Sequence, residues 1–391
     1  MSQRLFWVLC SGLSMLGSAA TCATPWIPTD PTQIIERLPA GMPQPMARTS
    51  TPKTALSLEQ AAPQIEQRLE QAYLQGDPRA LGQAEALLAP FAANTSPQAR
   101  LLRAAAAQAD HRFAQAKIEL TALLNEIPNQ ADAVLMLSSI ELVQGNFAAA
   151  KQHCQGLRDL SVLTLRLACI AQVEAMTGQI NKAKQQLATL ANMTNGMTDS
   201  QARWIYLMQA DIAQRSNDAA LALDVFSKLD RQSMPALMAR ADWLLAHRQW
   251  KKTRDLLINH LDNDSLLLRL VISEINLGHP DAAKHQQLLG ERVAIWQQRG
   301  ETAHQREQAA YQQLIGPPAK ALQIARENWQ KQRETADIVV YATAALAAHS
   351  AADLSILQDW ISSTGFEYPA LISHLKRGHL PTVAMPAGVT P

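Results

Sequence analysis

The sequence predicts an all-α fold of stacked helical hairpins, and three observations carry the prediction. From about residue 55 to residue 376 the chain is rich in Ala, Leu and Gln, with apolar positions recurring at three- and four-residue steps. No stretch alternates convincingly as a strand. A turn signal followed some five residues later by a small or apolar residue recurs at Gly76, His111, Gly145, Gly178, Ser216, Arg248, Gly278, Gly316 and His349, at spacings of 35, 34, 33, 38, 32, 30, 38 and 33 residues. A period near 34 built only from helix signals means stacked hairpins, because one hairpin cannot bury its apolar face alone. With 47% hydrophobic and 18% charged residues the chain is not predominantly disordered. A formal charge of +1 gives no electrostatic reason for nucleic acid or an anionic membrane as the main ligand.

The elements follow in order. Arg4 is the only charge in the first 23 residues; Leu5 to Gly17 are mostly apolar, and Ser18, Ala19, Ala20 and Ala23 are small. That pattern reads as a secretory signal peptide over 1–23, cut after Ala20 or Ala23, with an uncleaved N-terminal membrane anchor as the alternative. Cys22 lacks the upstream leucine of a lipidation site, and Thr21 is bulky for the position before a cut. Residues 24–54 hold seven of the 20 prolines and read as an extended arm or linker. Within it, Pro25-Trp26-Ile27-Pro28 has the form of an aromatic anchor on extended backbone. Helical repeats then occupy 55–283, more irregular helical repeats 284–376, and a flexible tail 377–391. Cys154 and Cys169 remain in the mature chain, as one disulfide or as two buried thiols.

Inside the repeats, Gly145-Asn146-Phe147 leads to Ala150, Gly178-Gln179-Ile180 to Ala183, and Gly278-His279-Pro280 to Ala283. Weaker copies run from His111 through Phe113 to Ala116 and from Arg248 through Trp250 to Thr253, and Pro128 closes the hairpin of Phe113 and Ala116. In these residues the chain resembles the tetratricopeptide repeat (TPR) family, over roughly 62–365 and most specifically over 97–190. The resemblance implies a right-handed superhelical solenoid of about nine degenerate antiparallel hairpins. It also implies a concave groove lined by the first helix of each hairpin, where ligands of the family lie. Groove-facing positions then fall on Leu135 and Ser139, Gln172, Arg203 and Tyr206, Met238 and Asp242, with Arg269 adjacent to Leu268. This lining is mainly apolar with isolated polar groups, which suits an extended peptide or an amphipathic helix.

Catalytic patterns are missing from the sequence: it has no phosphate-binding Gly-x-x-x-x-Gly-Lys, no Gly-x-Gly-x-x-Gly after a strand, no His-Glu-x-x-His and no Gly-x-Ser-x-Gly. Ser373 and Lys376 match Ser-x-x-Lys without companion motifs. The ten histidines are scattered and read as solvent-facing or turn residues, and Asp262-Asn263-Asp264 as an inter-hairpin loop without the glycine and glutamate of a calcium site. Neither a metal nor a cofactor is expected. These features together describe a non-enzymatic, exported, periplasmic scaffold or adaptor that binds a protein or peptide, within an envelope, secretion or transport complex that includes membrane-associated partners. The alternatives are an enzyme subunit with its site in 284–376, or a carrier of a small molecule or envelope polymer fragment.

Overall fold

The computed structural model describes residues 56–159, 162–193, 197–301 and 303–377, so the expected signal peptide, the proline-rich arm and the tail beyond Arg377 lie outside the described residues. No strand occurs among the described residues, which form nineteen α-helices. Nine pairs succeed one another: α1 (Leu58–Gln75) with α2 (Pro78–Leu88), α3 (Pro97–Ala109) with α4 (Phe113–Glu126), α5 (Ala131–Val143) with α6 (Phe147–Gly156), α7 (Leu163–Met176) with α8 (Ile180–Ala191), α9 (Asp199–Ser216) with α10 (Ala219–Lys228), α11 (Met234–Ala246) with α12 (Trp250–Leu257), α13 (Asp264–Leu277) with α14 (Ala282–Gln298), α15 (Gln305–Ile315) with α16 (Pro318–Trp329), and α17 (Thr335–Ala347) with α18 (Ala351–Thr364). A last helix, α19 (Pro369–Arg377), follows them. No helix among the described residues is long and apolar enough to cross a membrane.

The sequence period is a period of backbone conformation. Gly76, His111, Gly145, Gly178, Asn217, Arg248, Gly278 and His349 all have positive φ, between 50° and 77°. From the second pair onward the residue after such a turn donates its N–H back across the helix end, as in Arg112 to Ala107 (2.7 Å), Asn146 to Glu141 (2.8 Å), Gln249 to Leu244 (2.8 Å) and Ser350 to Ala345 (3.0 Å). This is the Schellman closure, which satisfies carbonyls that a helix end leaves unpaired. Gly316 departs from the set: α15 ends there with φ −103°. In the fifth pair the left-handed residue is Asn217, one position after the serine marker.

Small residues on the second helix of the second to sixth pairs let the two helices approach closely. Ala116, Ala150, Ala183, Ala222 and Thr253 are all fully buried. The seventh pair breaks the pattern, and Ala283 is exposed. Pro280 adds a turn after Gly278, so α14 starts late and the buried position passes to His285, 3% exposed. His285 is therefore a core residue rather than a solvent or turn histidine: its Nδ1 lies 2.7 Å from Glu274 Oε2.

Each odd-numbered helix packs on the next odd-numbered one, from α1 on α3 through α17 on α19, so the odd helices form one continuous layer. The chain also returns on itself, because α11 packs on α1 and α19 on α9. Between these returns the C-terminal loops meet earlier turns edge to edge. Arg333 N–H donates to the Val143 carbonyl (2.6 Å), Glu367 N–H donates to the Met176 carbonyl (2.9 Å), and Gln332 Nε2 lies 2.6 Å from His111 Nδ1. Trp360 packs edge-on against Phe147 at 5.7 Å between ring centres. One apolar cluster accordingly joins Phe147, Cys154 and Cys169 to Trp329, Tyr341 and Phe366. Cys154 and Cys169 form a disulfide that ties α6 to α7, with the Ser138 hydroxyl 3.2 and 3.3 Å from the two sulfurs.

Candidate functional site: the inner face of the odd helices

The eight residues expected to line a groove are all buried or half-buried. Leu135 packs on the cluster of Trp329 and Tyr341, and Ser139 accepts a hydrogen bond from Gln108 Nε2 at 3.4 Å. Gln172 is half-buried on α7. Arg203 reaches across to α1, 3.4 Å from Glu70 and 5.9 Å above the Tyr73 ring. Tyr206 packs with Leu221 against the core between α9 and its neighbours, with Lys228 Nζ 5.8 Å from its ring. Met238 sits against the apolar cluster of Leu267 and Leu270. Asp242 and Arg269 meet in a two-pronged ion pair at 2.6 and 2.8 Å, and Arg269 also donates to the Ser265 carbonyl at 2.9 Å. The structure therefore brings Asp242 and Arg269 together and engages Arg203 with a helix from the far end of the repeat series.

Beyond Arg269 the layer of odd helices continues into charged residues that sequence spacing did not single out. Arg306 Nη2 lies 3.2 Å from Glu307 Oε1, and its Nη1 lies 3.1 Å from Glu334 Oε2 and 3.7 Å from Asp337 Oδ1. Glu307 also accepts from the Ser265 hydroxyl at 3.1 Å. Burial pushes the Glu307 carboxyl up, but the Arg306 guanidinium, with Arg269 and His304, brings it down to about 2. Asp337 goes the other way. Burial raises its carboxyl to about 6 against the pull of Arg306, and the Glu334 charge adds to the rise. Asp337 accepts from Asn328 Nδ2 (2.9 Å) and from the Glu334 N–H (3.0 Å). The adjacent Arg306-Glu307 was readable as a charge pair, but its partners Ser265 on α13 and Glu334 at the start of α17 lie 42 and 28 residues away.

Among the described residues one trio offers metal-ligand geometry: Glu274, His279 and Asp281 place ligand atoms within 4.8 Å of one another. Its charge is already met by Arg254, which donates to Glu274 (3.1 Å) and Asp281 (3.3 Å), while the Asp281 N–H donates to His279 Nδ1 at 3.2 Å. The arrangement closes α12 onto α13 and α14 as an ion-pair network. Ser373 and Lys376 stand one turn apart on α19, half-buried and exposed respectively.

No family model matches this chain, and none of the curated proteins is detectably similar to it in sequence.

Proposed function

We propose that this chain is an exported, TPR-like helical-repeat adaptor. Its hairpins wind as a right-handed superhelix, and it binds a protein or peptide partner through its inner face, within an envelope, secretion or transport assembly. The observation that carries the reading is the run of nine helix pairs whose odd members share one layer, with a left-handed turn closing eight of the nine. Such a layer is an extended recognition surface whose side chains vary while its backbone repeats. The buried Cys154–Cys169 disulfide supports an oxidising compartment, where such bonds persist. Tyr73 on α1, 49% exposed and beside Arg203 of α9, offers an accessible aromatic next to that layer.

The test is crosslinked capture from an envelope fraction, with wild type and Tyr73→Ala as parallel baits. A protein recovered by wild type and reduced at least fivefold with Tyr73→Ala supports binding at the inner face. Recovery of nothing specific by either bait counts against the adaptor reading. The second reading, an enzyme subunit with its site in 284–376, draws on the displaced carboxyls of Glu307 and Asp337. Their bonds to Ser265, Arg306, Asn328 and the Glu334 N–H are those of a structural network, which places this reading second.

A further inference from the structure

Between α18 and α19 the chain leaves helix for a short segment, Gly365-Phe366-Glu367-Tyr368, and Pro369 then opens α19. Gly365 turns the chain out of α18 with φ 69°. The segment lies against the turn between α7 and α8, and Glu367 uses its backbone and its side chain there. Its N–H donates to the Met176 carbonyl at 2.9 Å. Its carbonyl accepts from Arg215 Nη1 at 2.9 Å, and the same guanidinium nitrogen donates to the Ala175 carbonyl at 2.7 Å. Its carboxylate oxygen Oε2 accepts from the Ile180 N–H at 3.2 Å.

Those receiving groups are ones a helix end leaves open. Ile180 is the first residue of α8, whose cap residue Gln179 supplies no side-chain bond, so an incoming carboxylate caps the helix and meets its positive end. Met176 is the last residue of α7, and its carbonyl is the one that takes up the Glu367 N–H. The Arg215 side chain is completely shielded from solvent and is held by Asp211 at 2.7 Å, so its orientation does not depend on Glu367 alone. On either side of Glu367, Phe366 is buried with its ring 5.5 Å from Trp360, and Tyr368 is half-buried against the same cluster. The preceding repeat accepts a chain segment in the same way, Arg333 donating to the Val143 carbonyl at the equivalent place before the left-handed glycine.

We propose that the α7–α8 turn together with Arg215 is a recognition site for an extended segment carrying an acidic residue between two aromatic ones, and that residues 366–368 occupy it in cis. A partner of this chemistry engages the chain by displacing its C-terminal segment. The proposal names the partner class of the adaptor reading and rests on that reading for its use. The site itself is tested separately.

The probe is a fluorescein-labelled peptide, Thr-Gly-Phe-Glu-Tyr-Pro-Ala, which copies residues 364–370. Its polarisation is read with the full chain as wild type and as Phe366→Ala/Glu367→Ala, in which the internal competitor is weakened. The cis segment acts at a high effective concentration, so the double variant is expected to bind at least tenfold tighter than wild type. Replacing the peptide's glutamate by glutamine is expected to cost about tenfold, and adding Arg215→Met to the double variant to abolish binding. Equal binding to wild type and double variant, or none to either with helix content unchanged, overturns the proposal. Should the double variant fail to fold, wild type in excess peptide decides by hydrogen exchange. Faster exchange over 366–377 with protection kept at 176–180 supports displacement, and unchanged exchange over 366–377 refutes it. A chain that binds the peptide but captures no protein refutes the adaptor reading and leaves this site standing.

Discussion

Arg248 shows how much of this architecture is decided one residue at a time. It holds φ 55° with an exposed side chain, where its Cβ crowds the following carbonyl. Arg248→Gly is expected to stabilise the chain by about 1 kcal/mol, read as a higher urea midpoint. Gly145→Ala has the opposite sign: φ is 76°, and a Cβ there meets Trp360 at 2.9 Å. Asp337 gives a pH signature at the same scale. Its carboxyl is raised in the fold, to about 6, so it favours folding fully below the unfolded value of about 3.9, and that contribution is lost as pH rises through about 6. Relative to wild type, Asp337→Asn is therefore expected to gain on the order of 2 kcal/mol between pH 4.5 and pH 7, measured by urea unfolding at the two pH values. Glu307, lowered to about 2, carries the reverse linkage, and its stabilisation is lost only as pH falls below about 4.5.

At the scale of elements, the helix pairs are held by local closures, and one of them is covalent. The Cys154–Cys169 bond joins residues 15 apart across the α6–α7 connection, where both sulfurs are buried. Constraining a loop of that length stabilises by about 3 kcal/mol on the chain-entropy account. Cys154→Ala/Cys169→Ala is expected to melt several degrees lower than the oxidised chain. Wild type refolded under dithiothreitol should fall toward the variant, and the variant should ignore the reductant. The seventh pair shows an element diverging without loss of packing, since His285 fills the place of a small residue by bonding to buried Glu274. A histidine six positions after another carries no sign in the sequence that Pro280 will delay its helix.

For the whole molecule, the decisive feature is the return of the C-terminal repeats onto earlier turns. Trp360 stands at that seam, against Phe147, Trp329 and Phe366. Trp360→Ala is expected to cost about 3 kcal/mol, near the lower end for a large aromatic because the residue is half-buried. The same change should speed hydrogen exchange at 143–147 and 366–377 ahead of α1 and α2. Global and simultaneous loss of protection would mean that the seam is no weaker than the pairs it joins.

The all-helical class and the near-34-residue step were legible because each turn is settled within about six residues. A left-handed residue and one back-bonded N–H close it, as at Gly145 with Asn146 to Glu141, and glycine or a tolerant substitute marks the place. What the inner residues do was not legible. Arg203 answers to Glu70 from 133 residues away, and Ile180 to Glu367 from 187. Periodicity places a side chain on a face, but it carries no information about which distant helix end or loop meets that face. That pairing follows from the tertiary packing that brings α11 onto α1 and α19 onto α9, contacts across many repeats that no local pattern encodes.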